Sequence, residues 1–426
     1  MKKGRKHQQG TGVRVNGNGN AQQHGEHESW KKLKLVEIHQ ALNCDPVDIE
    51  TLRRAAVSEG GLLTDEIRRK VWPKLLSINV YNLPAKPTKD IRENHKDFNQ
   101  VLLDVRRSMK RFPRGMRVDE RQVLQEQLID IILVVLQKNP ALHYYQGYHD
   151  IVVTFLLVVG ERMAIAMVET LSNHHLRWLP FSVSIMATCS CRDFMDPTMD
   201  STKHILNYLM PILEQVDPQL HEFMLRAEVG TIFALSWLIT WYGHVLSEFR
   251  HVLRLYDFFL ASHPLMAIYF AAVIVLHREK EVKQTECDMA MVHQLLSKIP
   301  QDLPYEELIT KAHCLFTRYP PSLLAKRAAL QSRNSITINC FKAFQAATQQ
   351  QRPDSVLRRQ LLQGRARGLG GPDSQLVLSR DTQPNQAANQ LVKMAVWGIS
   401  ATLGAAALAV AQTALDWAPD FFMQLF

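Results

Sequence analysis

No Cys-x-x-Cys pair occurs in this chain of 426 residues. Its six cysteines, Cys44, Cys189, Cys191, Cys287, Cys314 and Cys340, are irregularly spaced. That excludes a zinc ribbon or a disulfide framework as the organising element, and suits thiols kept reduced in the cytosol. The N-terminus, Met1 to Gly10 and the Gly-, Asn- and Gln-rich stretch after it, has no apolar run of the kind a signal peptide needs. Absent too are GxxxxGK[ST], GxGxxG, HExxH and GxSxG, so the chain is expected to bind no nucleotide by itself. His149-Asp150 and His174-His175 have no further ligand at metal spacing, and no metal site is expected. Alternating strand patterns are almost lacking, which points to an all-α protein.

The charge is as telling as the missing motifs. Of the formal +9, residues 1–30 carry +3 and residues 326–393 carry +8, whereas residues 394–426 carry −2. The body, residues 31–325, is neutral, with 34 basic and 34 acidic side chains. A nucleic-acid-binding domain would carry its basic face on the fold itself, so no nucleic-acid partner is expected. Basic tails around a neutral body suit an anionic membrane surface.

Hydrophobic residues make up 46% of the chain, enough to bury a sizeable core. Between Trp30 and Pro321 the apolar spacing is helical: Ile67, Val71, Leu75 and Leu76 in one stretch, Val123 to Leu136 in another, with Asp119 as a candidate N-cap. Breaks at Gly60-Gly61, Asn82-Leu83-Pro84, Phe112-Pro113, Asn139-Pro140, Asp196-Pro197, Asp217-Pro218, His263-Pro264 and Pro320-Pro321 divide it into medium helices. The apolar runs at 151–159, 231–242 and 265–276 fall short of the roughly 20 residues of a span and read as buried helices. Residues 394–415 differ. This stretch has no charge, lies between Lys393 and Asp416, and has Trp397 and Trp417 near its ends. As a helix it would be about 33 Å long, close to the hydrocarbon thickness of a bilayer. The expected organisation is a disordered arm at 1–29, a helical domain at 30–325, a basic flexible linker at 326–393, a transmembrane helix at 394–415 and a short tail at 416–426. The positive-inside rule puts linker and body in the cytosol and the tail in the lumen.

Two short segments stand out. In Val101-Leu102-Leu103-Asp104-Val105-Arg106-Arg107, helical spacing puts 101, 104 and 107 on one face, where Asp104 can hold Arg107 in an ion pair. Taken alone, this is an ordinary helix salt bridge. In Tyr144-Tyr145-Gln146-Gly147-Tyr148-His149-Asp150, a glycine among aromatics marks a close backbone approach and presents an amide on a loop.

These segments resemble a known family. Ile67-Arg68, Val71-Trp72 and Leu75-Leu76 look like the opening element of TBC domains, which are GTPase-activating proteins for Rab GTPases. Residues 101–107 are similar to that family's IxxDxxR arginine-finger motif, with Val101 for Ile, and residues 144–147 to its YxQG glutamine-finger motif. The segments Trp237 to Tyr242 and Arg254-Leu255-Tyr256-Asp257 look like its later elements, with Tyr256 for Trp. Together they cover about residues 60–320 in family order. The variant Gln-Gly-Tyr-His-Asp with a C-terminal span resembles a membrane-anchored member of the endoplasmic reticulum acting in ER-to-Golgi traffic.

The resemblance implies that the chain activates hydrolysis by a GTP-bound Rab of the early secretory pathway. Arg107 would neutralise charge developing on the γ-phosphate, and Gln146 would position the attacking water. Asp104 would orient Arg107, and Tyr144 and Gly147 would shape the glutamine loop. Arg68, Trp72, Trp237, Arg254 and Asp257 would be structural, the two arginines buried against carboxylates. GTP and Mg²⁺ would come with the Rab, and the chain would need no cofactor of its own. The rival reading is a membrane-tethered scaffold that binds a Rab without catalysis; an adaptor using basic tails finds little support in a neutral body.

Overall fold

Helix-forming sequence between Pro and Gly stops becomes a chain of helices. The computed structural model describes residues 19–174 (apart from 89, 109–111, 113–114 and 141), 205–328, 345 and 348–368. Among the described residues there is no strand. The first helices are α1 (Gly19–Asn43), α2 (Ile49–Val57), α3 (Asp65–Leu75), α4 (Asp90–Asn94), α5 (Phe98–Arg107), α6 (Val118–Lys138), α7 (Tyr148–Val159) and α8 (Glu161–His174). After them come α9 (Leu209–Val216), α10 (Pro218–Arg226), α11 (Leu235–Ile239), α12 (Phe249–Ala261), α13 (Met266–His277), α14 (Glu279–Gln284), α15 (Met289–Ser297), α16 (Tyr305–Arg318), α17 (Pro321–Ala328) and α18 (Asp354–Gly368).

Local chemistry sets several of these boundaries. Asp48, Thr64 and Asp217 cap α2, α3 and α10 by accepting from Thr51, Ile67 and Leu220 backbone N–H groups. Asp119 does not cap α6. The N-cap there is Arg117, without a side-chain bond, and Asp119 lies one residue inside, where a carboxylate still favours the positive helix end.

The apolar runs at 151–159 and 265–276 are core helices. Residues 148–156 and 158 of α7 are buried, as are 266–275 of α13. Helices α6, α7 and α8 pack on one another, α7 also meets α3 and α5, and α13 lies along α16. The run at 231–242 is a 3-10 turn, the short α11 and a bend in which Trp241 and Tyr242 take positive φ. An aromatic cluster ties these parts together. Trp72 meets Phe155 at 5.6 Å, Phe155 meets Tyr256 at 5.5 Å, and Trp241 stands edge-on to Tyr256 at 5.4 Å.

The family-type residues 68, 72 and 257 form one buried knot. Asp257, fully buried, accepts from Arg68 Nη2 at 2.9 Å, Trp72 Nε1 at 2.8 Å and the Leu62 backbone N–H at 3.0 Å. Gly61 sits against it; a Cβ there would lie 2.6 Å from Asp257 Oδ2. Arg254, one turn earlier on α12, pairs with Glu306 at 2.7 Å and donates to the Ala56, Val57 and Ser58 carbonyls at the end of α2. Trp237 is fully buried and stacks edge-on against Phe233.

Two sequence boundaries shift. The expected arm 1–29 is already helical from Gly19, continuous with the later part of α1, which is packed. The expected linker 326–393 includes the end of α17 and an ordered stretch about residues 348–354. There Gln351 O accepts from Val47 N at 2.7 Å, and buried Lys74 finds its counter-ion in Asp354 at 2.7 Å. A lysine buried on α3 needs an anion, and the sequence stretch read as linker supplies it. Helix α18 passes through Gly364, with its side chains exposed at 358–364. Among the described residues no helix is long and apolar enough to cross a membrane, and 394–415 lies outside them.

Candidate functional site

The last turn of α5 and the loop before α7 meet through one hydrogen bond. Tyr144 donates its hydroxyl to Asp104 Oδ2 at 3.0 Å, across 40 residues of sequence. Asp104 is buried and also accepts from Gln100 Nε2, one turn earlier, at 3.1 Å. The expected Asp104–Arg107 pair is therefore absent. The carboxylate turns inward, where two neutral donors satisfy it in low dielectric; pointing it at an exposed arginine would exchange both bonds for a solvent-screened ion pair. Arg107, the final residue of α5, is exposed and has no hydrogen bond or ion pair among the described residues; Arg106 beside it is likewise exposed. A cation in that last turn complements the helix dipole.

The loop is held at several points. Tyr145 donates to the Ile239 carbonyl at 2.9 Å. Gly147 takes a φ of +112°, and a Cβ there would meet Thr240 Cγ2 at 2.9 Å, so both conformation and space call for glycine. His149 Nδ1 lies 3.1 Å from the Tyr144 hydroxyl. Asp150, buried at the start of α7, lies 3.1 Å from His244 Nδ1. Between these anchors Gln146 is exposed. Burial, the Asp104 charge and the hydrogen bond to it all push the Tyr144 phenol well above its ordinary pKa, so it remains a donor.

The arrangement thus offers a free guanidinium and a free amide, each two or three residues from one shared bond. Neither can serve as a general base, but together they can stabilise an anion and orient a water. Sequence reasoning had marked Asp104, Arg107, Tyr144, Gln146 and Gly147. It missed Gln100, the Ile239–Thr240 anchor and the placement of His149 against Tyr144. The adjacency of His149 to the aromatic loop was the only hint. Among the described residues no His, Cys, Asp or Glu cluster could hold a metal ion.

Comparison with known proteins agrees with this architecture. Residues 65–283 match the family model of the Rab-GTPase-TBC domain. The human "TBC1 domain family member 20" is 62% identical over 397 residues, covering 93% of each chain. The fission yeast (Schizosaccharomyces pombe) "GTPase-activating protein gyp10" is 31% identical over 301 residues, 68% of this chain and 76% of the relative. Among solved structures, the Ypt/Rab-GAP domain of Gyp1p superposes with a TM-score of 0.53 at 14% identity, over 67% of this chain and 98% of that one, a likeness of fold. On the motif order, the all-helical fold and these matches, the chain belongs to the Rab-GTPase-TBC domain family.

Proposed function

We propose that this chain is a GTPase-activating protein for a Rab-type small GTPase, and that it supplies two side chains to the GTP its partner holds. The supporting observation is the Tyr144–Asp104 bond, with Arg107 and Gln146 left exposed on either side of it. The bond couples the two segments that carry the fingers, so they enter a partner's nucleotide site as one unit. Arg107 offsets negative charge developing between the β- and γ-phosphates, a contribution on the order of 10³–10⁵ in rate for such a finger. Gln146 orients the attacking water. Gly147 lets the loop pass Thr240 closely enough to keep the amide outward. GTP and Mg²⁺ arrive with the Rab, and this chain contributes no cofactor. The names of its relatives, "TBC1 domain family member 20" and "GTPase-activating protein gyp10", support the activity.

The proposal extends to location. Residues 394–415 hold the chain in the endoplasmic reticulum membrane, with the helical body in the cytosol and the substrate a Rab of ER-to-Golgi traffic. The 22 uncharged residues and the basic stretch before them support that reading. The deciding experiment is single-turnover phosphate release from a panel of GTP-loaded Rabs. Acceleration of one or a few is expected. Binding without acceleration of any would replace this reading with that of a non-catalytic scaffold.

A further inference from the structure

Four arginines are buried among the described residues: Arg53, Arg68, Arg254 and Arg278. Three have a carboxylate partner: Asp257 at 2.9 Å, Glu306 at 2.7 Å and Glu281 at 2.8 Å. Arg53 has none. Its Nη1 donates to the Ala261 carbonyl at the end of α12, while Nε and Nη2 are buried without an acceptor. The Ser262 hydroxyl is also buried and without a partner. Buried donors in this state are costly, and an unpaired buried guanidinium is the costliest among them.

Arg53 and Ser262 both line a cleft of about 760 Å³ between α2, the end of α12 and the α16–α17 junction. Its other walls include Val57, Met266, Phe316 and Pro320. His263 on the wall is held uncharged by burial, with its pKa lowered to about 4. On the rim, Arg54 is engaged by Glu37 at 2.6 Å, and Glu50 is exposed and accepts from Gln349 at 3.3 Å. None of residues 101–107 or 144–150 takes part.

We propose that this cleft binds a small organic anion, a carboxylate or phosphate monoester carried on an apolar body. The Nε–Nη2 edge of Arg53 is a planar two-donor fork of the kind that grips two oxygens of such a group, and the Ser262 hydroxyl is a third donor; all three atoms are covered in the structure, so binding turns the Arg53 and Ser262 side chains toward the cleft. Val57, Met266 and Phe316 receive the apolar part. The site is separate from the fingers, so it stands or falls independently of the GTPase reading.

The test is calorimetric titration of the full-length chain with phenyl phosphate, benzoate, inorganic phosphate and benzylamine. Saturable binding of phenyl phosphate and benzoate is expected, at least about fivefold weaker binding of inorganic phosphate, and none of benzylamine. Arg53→Gln should weaken the aromatic anions at least about tenfold and Ser262→Ala about threefold, while Arg107→Ala leaves them unchanged. If Arg53→Gln does not fold, Ser262→Ala decides alone. Absence of saturable anion binding, equal binding of benzylamine, or unchanged affinity in the variants overturns the site. Inorganic phosphate binding as tightly as phenyl phosphate overturns the apolar part of the assignment.

Discussion

Tyr144 donates its hydroxyl hydrogen bond to Asp104, and so fastens the Gln146 loop to the helix that ends in Arg107. Replacing Tyr144 by Phe keeps the ring and removes this bond. The stimulated rate should fall about tenfold, and stability by about 1 kcal/mol, the usual worth of one such bond. Phosphate release and thermal melts measure the two effects. An unchanged rate would mean that the fingers do not depend on being coupled.

Arg107 should be indispensable and Arg106 much less so. Both are exposed, so substitution leaves the fold intact and changes only activity. Arg107→Ala should remove on the order of 10³ or more of the stimulation. Arg107→Lys should rescue little, because it keeps the charge and loses the fork. Arg106 lies about 100° around the helix. If Arg106→Ala is the inactive protein and Arg107→Ala the active one, the register is wrong.

Gln146→Ala should lower the maximal stimulated rate at least about tenfold, on the scale of losing one oriented transition-state contact. A Rab whose own switch glutamine is replaced by Leu should remain partly sensitive to this chain. Normal binding of that Rab with no stimulation at all would confine the loop to docking.

Much of the site could be read in the sequence because its signals are local. The IxxDxxR-type spacing fits within two helical turns, and the Tyr-x-Gln-Gly string needs only its own loop. The partner of Asp104 could not be read this way. Helical spacing nominates Arg107, three residues on, whereas the structure chooses Tyr144, 40 residues away, because burial favours a satisfied inward carboxylate over an exposed ion pair. Lys74 teaches the same lesson: nothing local to α3 announces that Asp354 will answer it. Several helix stops were legible, since Pro and Gly act on their own backbone, although α3 runs through Pro73, α18 runs through Gly364, and Pro113 and Asp196-Pro197 lie outside the described residues. Gly60-Gly61, Asn139-Pro140, Asp217-Pro218 and His263-Pro264 all separate neighbouring helices.

Deleting residues 394–426 should release the protein from membranes and leave hydrolysis in solution unchanged. Carbonate extraction and phosphate release of the truncated chain check both halves. A truncated chain that still resists extraction would place the anchor elsewhere.

His263 should make the fold sensitive to mild acid. Burial lowers its pKa from 6.5 to about 4, and its Nδ1 accepts from the Leu265 backbone N–H at 3.1 Å, so the folded state needs the neutral ring. Between those two values the unfolded chain binds the proton and the folded chain does not. Stability from this group is therefore fully present above about pH 6.5 and is lost as pH falls towards 4, by no more than about 3 kcal/mol. His263→Asn keeps an acceptor for Leu265 and cannot titrate. Its melting temperature should fall less between pH 7 and pH 5 than that of the parent, and parallel curves would exclude His263 as the cause.

The knot around Asp257 also has a consequence in time. Arg68 and Trp72 emerge from the ribosome more than 180 residues before the carboxylate that both of them need. At about 5–20 residues per second, the interval is on the order of 10–40 s. Throughout it the nascent α3 carries an indole N–H with no destination and an arginine whose other carboxylate partner is Asp65 on the same helix. The amino-terminal helices therefore cannot settle vectorially as a finished half. They wait for α12, and a message truncated before codon 257 yields a chain that holds Trp72, one of its two fully buried tryptophans among the described residues, open to chaperones and proteases.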